Sequence, residues 1–170
     1  MSPPFFGKYR GVVTDVKDPA FLGRVKAKVP DVLKDQESGW ATACVPFTGK
    51  GTGFYALPDV GAGVWIEFEH GDPDYPIWSG GWWGGPLDPP SEAKTPVPFQ
   101  QKIILKTPGG SSLIIDDSPG PAGGIFIKTS AGQKISLTAL GIEIDNGKGA
   151  SIKMVAGNVV SVNNGGLDVT

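Results

Sequence analysis

A chain of 170 residues with a single cysteine cannot staple itself with an internal disulfide, so rigidity has to come from packing or from assembly. Histidine is as scarce. His70 stands alone, whereas a metal centre normally gathers several imidazoles, thiolates or carboxylates at one point. No apolar stretch approaches the ~20 residues that a membrane-spanning helix needs. The opening MSPPFFGKYR lacks the charged start and apolar core of a secretory signal, so the expectation is a soluble protein made without one. Charge of one sign is lacking too: the formal net charge is -2. Residues 1–90 hold eight Lys/Arg against eleven Asp/Glu, and residues 91–170 hold seven against six. Neither half offers the basic surface that phosphate backbones require, and nucleic acid is not expected as a partner. Cys44 lies between apolar residues in WATACVPF, where a buried, inert thiol is expected.

What the chain does have is 26 Gly and 16 Pro, a composition of many turns and few long helices. The expected class is all-β. From Phe5 to about Gly85 the sequence reads as short strands broken by irregular loops. Tyr9–Val16 and Phe21–Val29 are rich in β-branched and aromatic residues, and in the second Val25, Ala27 and Val29 alternate with Arg24, Lys26 and Lys28. Further strands are expected at Trp40–Val45, Val64–Glu69 and Ile77–Gly80. Five short strands with polar outer faces suit a small closed barrel of the OB type, giving a first domain over residues 1–85.

A linker follows over residues 86–100, with five prolines between Pro86 and Pro98, and is expected to be extended and exposed. Over residues 101–170 the pattern becomes a repeat of short strands, each with apolar residues at i and i+2 and then a turn of Gly, Asn, Asp or Ser. The pairs are Ile103/Leu105, Leu113/Ile115, Ile125/Ile127, Ile135/Leu137, Ile142/Ile144, Ile152/Met154, Val160/Val162 and Leu167/Val169. Two inward side chains per strand bury too little area to offset the roughly 1–2 kcal/mol of backbone entropy per ordered residue. One copy of this region should therefore not be stable alone. Several copies closing their faces on one another solve the problem, so a trimeric β-helix or β-prism shaft is expected, a rod of ~38 Å at ~4.8 Å per stacked strand.

The pieces GRVK (Gly23–Lys26), WATACVPF, GKGTGFYALPDVGAGV and FEHGDPDYPIWSG, taken in that order, closely resemble the OB-fold domain shared by myophage cell-puncturing spikes, phage baseplate assembly protein V and the VgrG spikes of type VI secretion. The resemblance covers most of residues 8–85. It implies a barrel beneath a baseplate hub followed by a trimeric β-helix, in agreement with the rod read from the apolar pairs. VgrG proteins carry a large hub domain before the barrel; here about seven residues precede the first expected strand, and a separate hub protein is expected. No lysozyme is inserted between barrel and shaft, and no closely spaced tip histidines occur. A PAAR-like tip protein is the expected partner at the far end.

Candidate residues follow from these readings. Phe5, Phe6 and Tyr9 are the candidates for hub contact, with barrel core as the competing role for the phenylalanines. The trimer core is expected from Ile103, Leu105, Leu113, Ile115, Ile125, Ile127, Ile135, Leu137, Ile142, Ile144, Ile152 and Met154. Tip docking is expected at Val160, Val162, Leu167 and Val169. His70 lies among Glu67, Glu69, Asp72 and Asp74, but Gly71, Asp72 and Pro73 are turn chemistry, and a hairpin cap is expected rather than catalysis. Asp116, Asp117 and Asp145 are expected to be solvated turn residues, and GKGTG (Gly49–Gly53) a flexible loop, since it lacks the GK[ST] ending of a phosphate-binding loop. Trp65 and Trp78 are expected in the core, and Trp82 and Trp83 where three chains meet. No cofactor and no enzymatic activity are expected. The function read from all this is mechanical: a trimeric central spike of a contractile tail or phage-derived injection system, assembled in the bacterial cytoplasm into the baseplate of a virion or tail-like particle. The target membrane would be met only by penetration. A single-stranded nucleic-acid-binding OB protein and a glycan-active tail enzyme are the alternatives, the first disfavoured by charge and the second by the lack of an opposed carboxylate pair.

Overall fold

A computed structural model describes residues 4–95, 99–155, 157, 159–164 and 166–169. The chain divides into two compact units, Met1–Asp88 and Pro89–Thr170. In the first, β1 (Tyr9–Asp15), β2 (Lys26–Lys28), β3 (Thr42–Ala43), β4 (Thr48–Gly49), β5 (Thr52–Gly53), β6 (Gly63–Phe68) and β7 (Pro76–Trp82) are joined by loops, one α-helical turn (Pro30–Leu33) and a 3-10 turn (Glu69–Gly71). Five of them form a sheet in the order β2-β1-β6-β7-β3, with β3 parallel to β7. An antiparallel bridge from Val25 to Ala41 joins the two margins of this sheet and closes it into a barrel. β6 shows why the sequence folds this way: Val64, Ile66 and Phe68 are buried and alternate with half-buried Gly63, Trp65 and Glu67, the period-2 pattern of a strand with one face in a core. With Val13, Val25, Ala27, Val29, Ala41 and Trp78 they form that core.

Several expectations need correction here. The strand expected over Phe21–Val29 is regular only from Lys26 to Lys28, because Phe21 turns with a φ of 56° and stands exposed with Leu22. Trp78 is core, its indole N–H donating to the Gly23 carbonyl at 3.0 Å, but Trp65 lies on the outer face. Cys44 is exposed, not buried, since it follows the two-residue strand β3 at the barrel's margin. The GKGTG stretch is a hairpin, β4 paired with β5, rather than an unpaired loop.

The loop after β1 is built around one carboxylate. Asp18 accepts hydrogen bonds from the backbone N–H groups of Ala20 (2.9 Å) and Leu22 (2.8 Å) and from the Arg24 guanidinium (2.6 Å). The bond from Arg24, joined by these backbone donors and opposed by burial, holds the Asp18 carboxyl well below the ordinary carboxylate range. A depressed folded-state value contributes stability that is complete above the unfolded value of 3.8 and is lost as pH falls through the folded one. Asp18→Asn should therefore lower the barrel's melting temperature at neutral pH and flatten its loss on acidification, which thermal melts followed by tryptophan fluorescence would read. Unchanged melts at every pH would remove Asp18 from the fold's support.

The second unit is an eight-stranded antiparallel meander. Its strands are β8 (Lys102–Lys106), β9 (Ser112–Asp116), β10 (Gly124–Lys128), β11 (Lys134–Thr138), β12 (Gly141–Asp145), β13 (Ser151–Val155), β14 (Val159–Val162) and β15 (Leu167–Val169), paired strictly in sequence order. Residues 89–95, within the proline-rich stretch, belong to this unit and hold a short 3-10 turn at Ser91–Ala93. Glu92 accepts from Lys106 at 2.7 and 2.9 Å, and the Lys102 ammonium donates to the Glu92 carbonyl at 3.2 Å. Lys102 also pairs with Asp116 at 3.1 Å, both side chains buried, so Asp116 is an ion-pair residue and not the solvated turn residue expected. Asp145 too faces a cation, lying 3.9 Å from the Lys134 ammonium, whereas Asp117 is exposed.

Candidate assembly interface

Register turns the eight apolar pairs into two uninterrupted columns on one face of the sheet. Ile103 stands opposite Ile115, which stands opposite Ile125, and the column continues through Leu137, Ile142, Met154 and Val160 to the position of Val169. Beside it run Leu105, Leu113, Ile127, Ile135, Ile144, Ile152, Val162 and Leu167. The residues expected at the trimer core and those expected to dock a tip protein thus share one surface, with no change of character between them. The side chain of Val169 lies outside the described residues.

In a single chain this face is open. Ile103 is 60% exposed, most of the other column residues stand near 40%, and among the described side chains only Ile142, Val160 and Val162 are half-buried. Twelve of the column residues are exposed side by side, whereas soluble monomers rarely leave so long a contiguous apolar patch open to water. An open face of this size marks an interface.

The opposite face is dressed for water beyond its first three strands. Ile104, Ile114 and Phe126 are half-buried there, and then come Ser136, Glu143, Lys153 and Ser161. Glu143 joins Lys134 at 2.8 Å and Lys153 at 3.2 Å across three neighbouring strands. The bond from Lys134 is the main reason its carboxyl lies below the usual glutamate range.

The two edges of the sheet differ as well. The four turns after β8, β10, β12 and β14 all lie along the second column's edge, and the first three touch one another in series while the fourth meets the start of β13. Ser130 N–H donates to Ser111 Oγ at 3.3 Å, and Ser151 N–H donates to Asn163 Oδ1 at 3.1 Å. Between those contacts, a Cβ added at Gly147 would come within 2.8 Å of the Gly132 carbonyl carbon, so the middle turns are stacked backbone on backbone. The alternation of polar turn residues gave no hint of this stacking in the sequence.

In the barrel, the candidate hub residues separate. Phe5 packs edge-on against Tyr9 at 6.2 Å and near Phe68 at 6.3 Å, and its N–H donates to the Gly71 carbonyl at 2.8 Å. Phe5 and Tyr9 therefore serve the barrel, while Phe6 is 70% exposed. His70 occupies the turn between β6 and β7 with a φ of 54°, its imidazole in solvent. Among the described residues no group of three or more His, Cys, Asp or Glu could hold a metal ion. No helix of the described residues is long and apolar enough to cross a membrane. Trp65 and Trp82 lie together on the outer face with the Arg10 guanidinium 5.8 and 4.9 Å from their rings, and Trp83 is exposed. A second apolar patch gathers Leu22, Phe54, Tyr55 and Leu57, and the sequence gives no sign of it because Leu22 reads as part of a strand.

Comparison with known proteins gives this geometry its context. Residues 9–83 match the type VI secretion system/phage-baseplate injector OB domain, and residues 102–168 match the phage baseplate V C-terminal trimerisation domain. The chain belongs to the baseplate V/VgrG-like spike family. The trimerisation match spans every column position from Ile103 to Leu167, so the face left open in one chain coincides with the part of the family that assembles. An actin cross-linking toxin, VgrG1 of Vibrio cholerae serotype O1, is 32% identical over 107 residues, which is 58% of this chain and 10% of the toxin. This baseplate V/VgrG-like chain thus spans about a tenth of that relative's length. Membership supports a spike-like structural role in a phage or type VI apparatus and a homotrimeric state.

Proposed function

We propose that three copies close their apolar columns around a common axis and form the central spike of a contractile tail or phage-derived injection system. The spike sits beneath a baseplate hub and is driven through a target envelope when the sheath contracts. The observation that carries this reading is the pair of uninterrupted apolar columns, whose exposure in a single chain water would not tolerate. No bond is made or broken in this role; the spike's task is to stay stiff, which paired strands around a dry interior provide. The hub contact is placed at Phe6, the exposed phenylalanine of the pair, and a PAAR-like tip protein is placed against the β15 edge of the sheet, through Val160, Val162, Leu167 and Val169. Assembly takes place in the bacterial cytoplasm, into a virion baseplate or a released tail-like particle.

The native mass of the purified full chain tests the core of the proposal. A trimer that survives heat and detergent is the expected result, because stability of the columns depends on assembly. A monodisperse, folded monomer at micromolar concentration would end it. The hub contact is read separately: Phe6→Asp should leave the trimer intact and abolish co-purification with the hub protein encoded in the same particle.

A further inference from the structure

The second apolar column is not flat. Ile127, Ile135, Ile144 and Ile152 floor a groove whose outer wall is made by the stacked turns, through Gln133 and Asn146. Columns that met only through their crests would leave this groove unfilled, and an unfilled apolar groove forfeits packing on one side of each side chain that lines it. A closed three-fold ring is built from heterologous contacts, in which one edge of each subunit meets the opposite edge of the next. The group that fills the groove must then come from the other edge of a neighbouring copy.

That edge presents one prominent apolar side chain. Leu140 lies in the two-residue turn between β11 and β12, 64% exposed, and apart from Phe99 no described apolar residue of the second unit is more exposed. Its N–H donates to Thr138 Oγ1 at 3.2 Å, which fixes the turn. The turn lies at the level of β11 and β12, the strands that supply Ile135 and Ile144 to the groove floor. A leucine held in solvent at the height of an unfilled groove on the opposite edge is a knob matched to a hole.

We propose that Leu140 of each copy seats in the groove over Ile135 and Ile144 of the next copy, so that a turn-to-groove contact closes the ring and sets its direction. This rests on the trimeric reading above and goes beyond it by naming the contact. A second copy is the occupant because the groove lies within the matched trimerisation domain and continues the face that assembles.

The test uses the full chain with exposed Cys44 replaced by Ser, carrying Leu140→Cys and Asn146→Cys. The two positions lie at opposite ends of β12, roughly 20 Å apart within one chain, so a short bifunctional maleimide can join them only between copies. The expected product is a covalent trimer on a denaturing gel, with no cross-linked species from either single cysteine. In parallel, Leu140→Asp should raise the trimer's dissociation on dilution by at least ~10-fold, while Leu140→Met should not. A native mass showing monomers in the unaltered chain would sink the trimeric reading itself. A native trimer that yields no cross-link, or one in which Leu140→Cys alone forms covalent dimers, would overturn the seating of Leu140 and leave the trimer standing.

Discussion

Ile144→Asp should abolish trimer assembly, as should Ile127→Asp, whereas Lys128→Asp should leave the assembled mass unchanged. Ile144 and Ile127 belong to the second column and would each place a carboxylate in a water-free interior, once per chain. Burial of a charge without a partner costs several kcal/mol, and three copies repeat it about the same axis. Lys128 is adjacent to Ile127 but on the other face, opposite Ser112 and Lys134, where solvent accepts either sign. Sedimentation of the three variants decides the matter. Equal tolerance would mean that the faces have been assigned the wrong way round.

Gly141→Ala should be at least as damaging, although it adds one methyl group. A Cβ at residue 141 would run into the Met154 carbonyl on the neighbouring strand, and the backbone φ of 132° is one that side chains rarely adopt. Gly124 stands in the same relation to the Leu137 carbonyl one strand pair earlier. Backbone cannot move aside as a flexible side chain can, so the cost is about 3 kcal/mol or more per chain, and the assembly repeats it three times. Gly109→Ala, in a turn where a Cβ would meet nothing within 4 Å, is the control and should be near neutral. The comparison is made by the detergent concentration that dissociates each trimer. A Gly141→Ala protein as resistant as the control would show that the β12–β13 contact is looser than described.

The sheet was legible because its signal is local. Two apolar residues at i and i+2 followed by a turn are enough to mark a strand and its inner face, and strict pairing in sequence order then builds the columns with no long-range information. The barrel strands β1, β6 and β7 were legible for the same reason. What escaped depends on residues distant in sequence or on backbone alone. Asp116 reads as a turn residue until Lys102 is brought beside it across β8 and β9. Trp65 reads as core by composition, yet its odd position in β6 puts it outside with Arg10 and Trp82. Cys44 sits in an apolar string that leaves the barrel after two residues of strand. Phe5 and Phe6 were indistinguishable in sequence, and only the contacts of Phe5 with Tyr9 and Phe68 tell them apart. The groove beside the second column depends on turns stacking on turns, for which glycine content is a necessary but unspecific sign.

The meander order of the second unit also gives its sheet a preferred direction of loading. Its ladder hydrogen bonds point from strand to strand, along the direction in which the strands are stacked. A push along that direction presses each rung onto the next and is shared by all the bonds of a strand at once. A pull applied at β8 and β15 would instead peel strands away one at a time, each hairpin giving way before the next is strained. The same bonds that stiffen the sheet against compression therefore yield far more readily to tension.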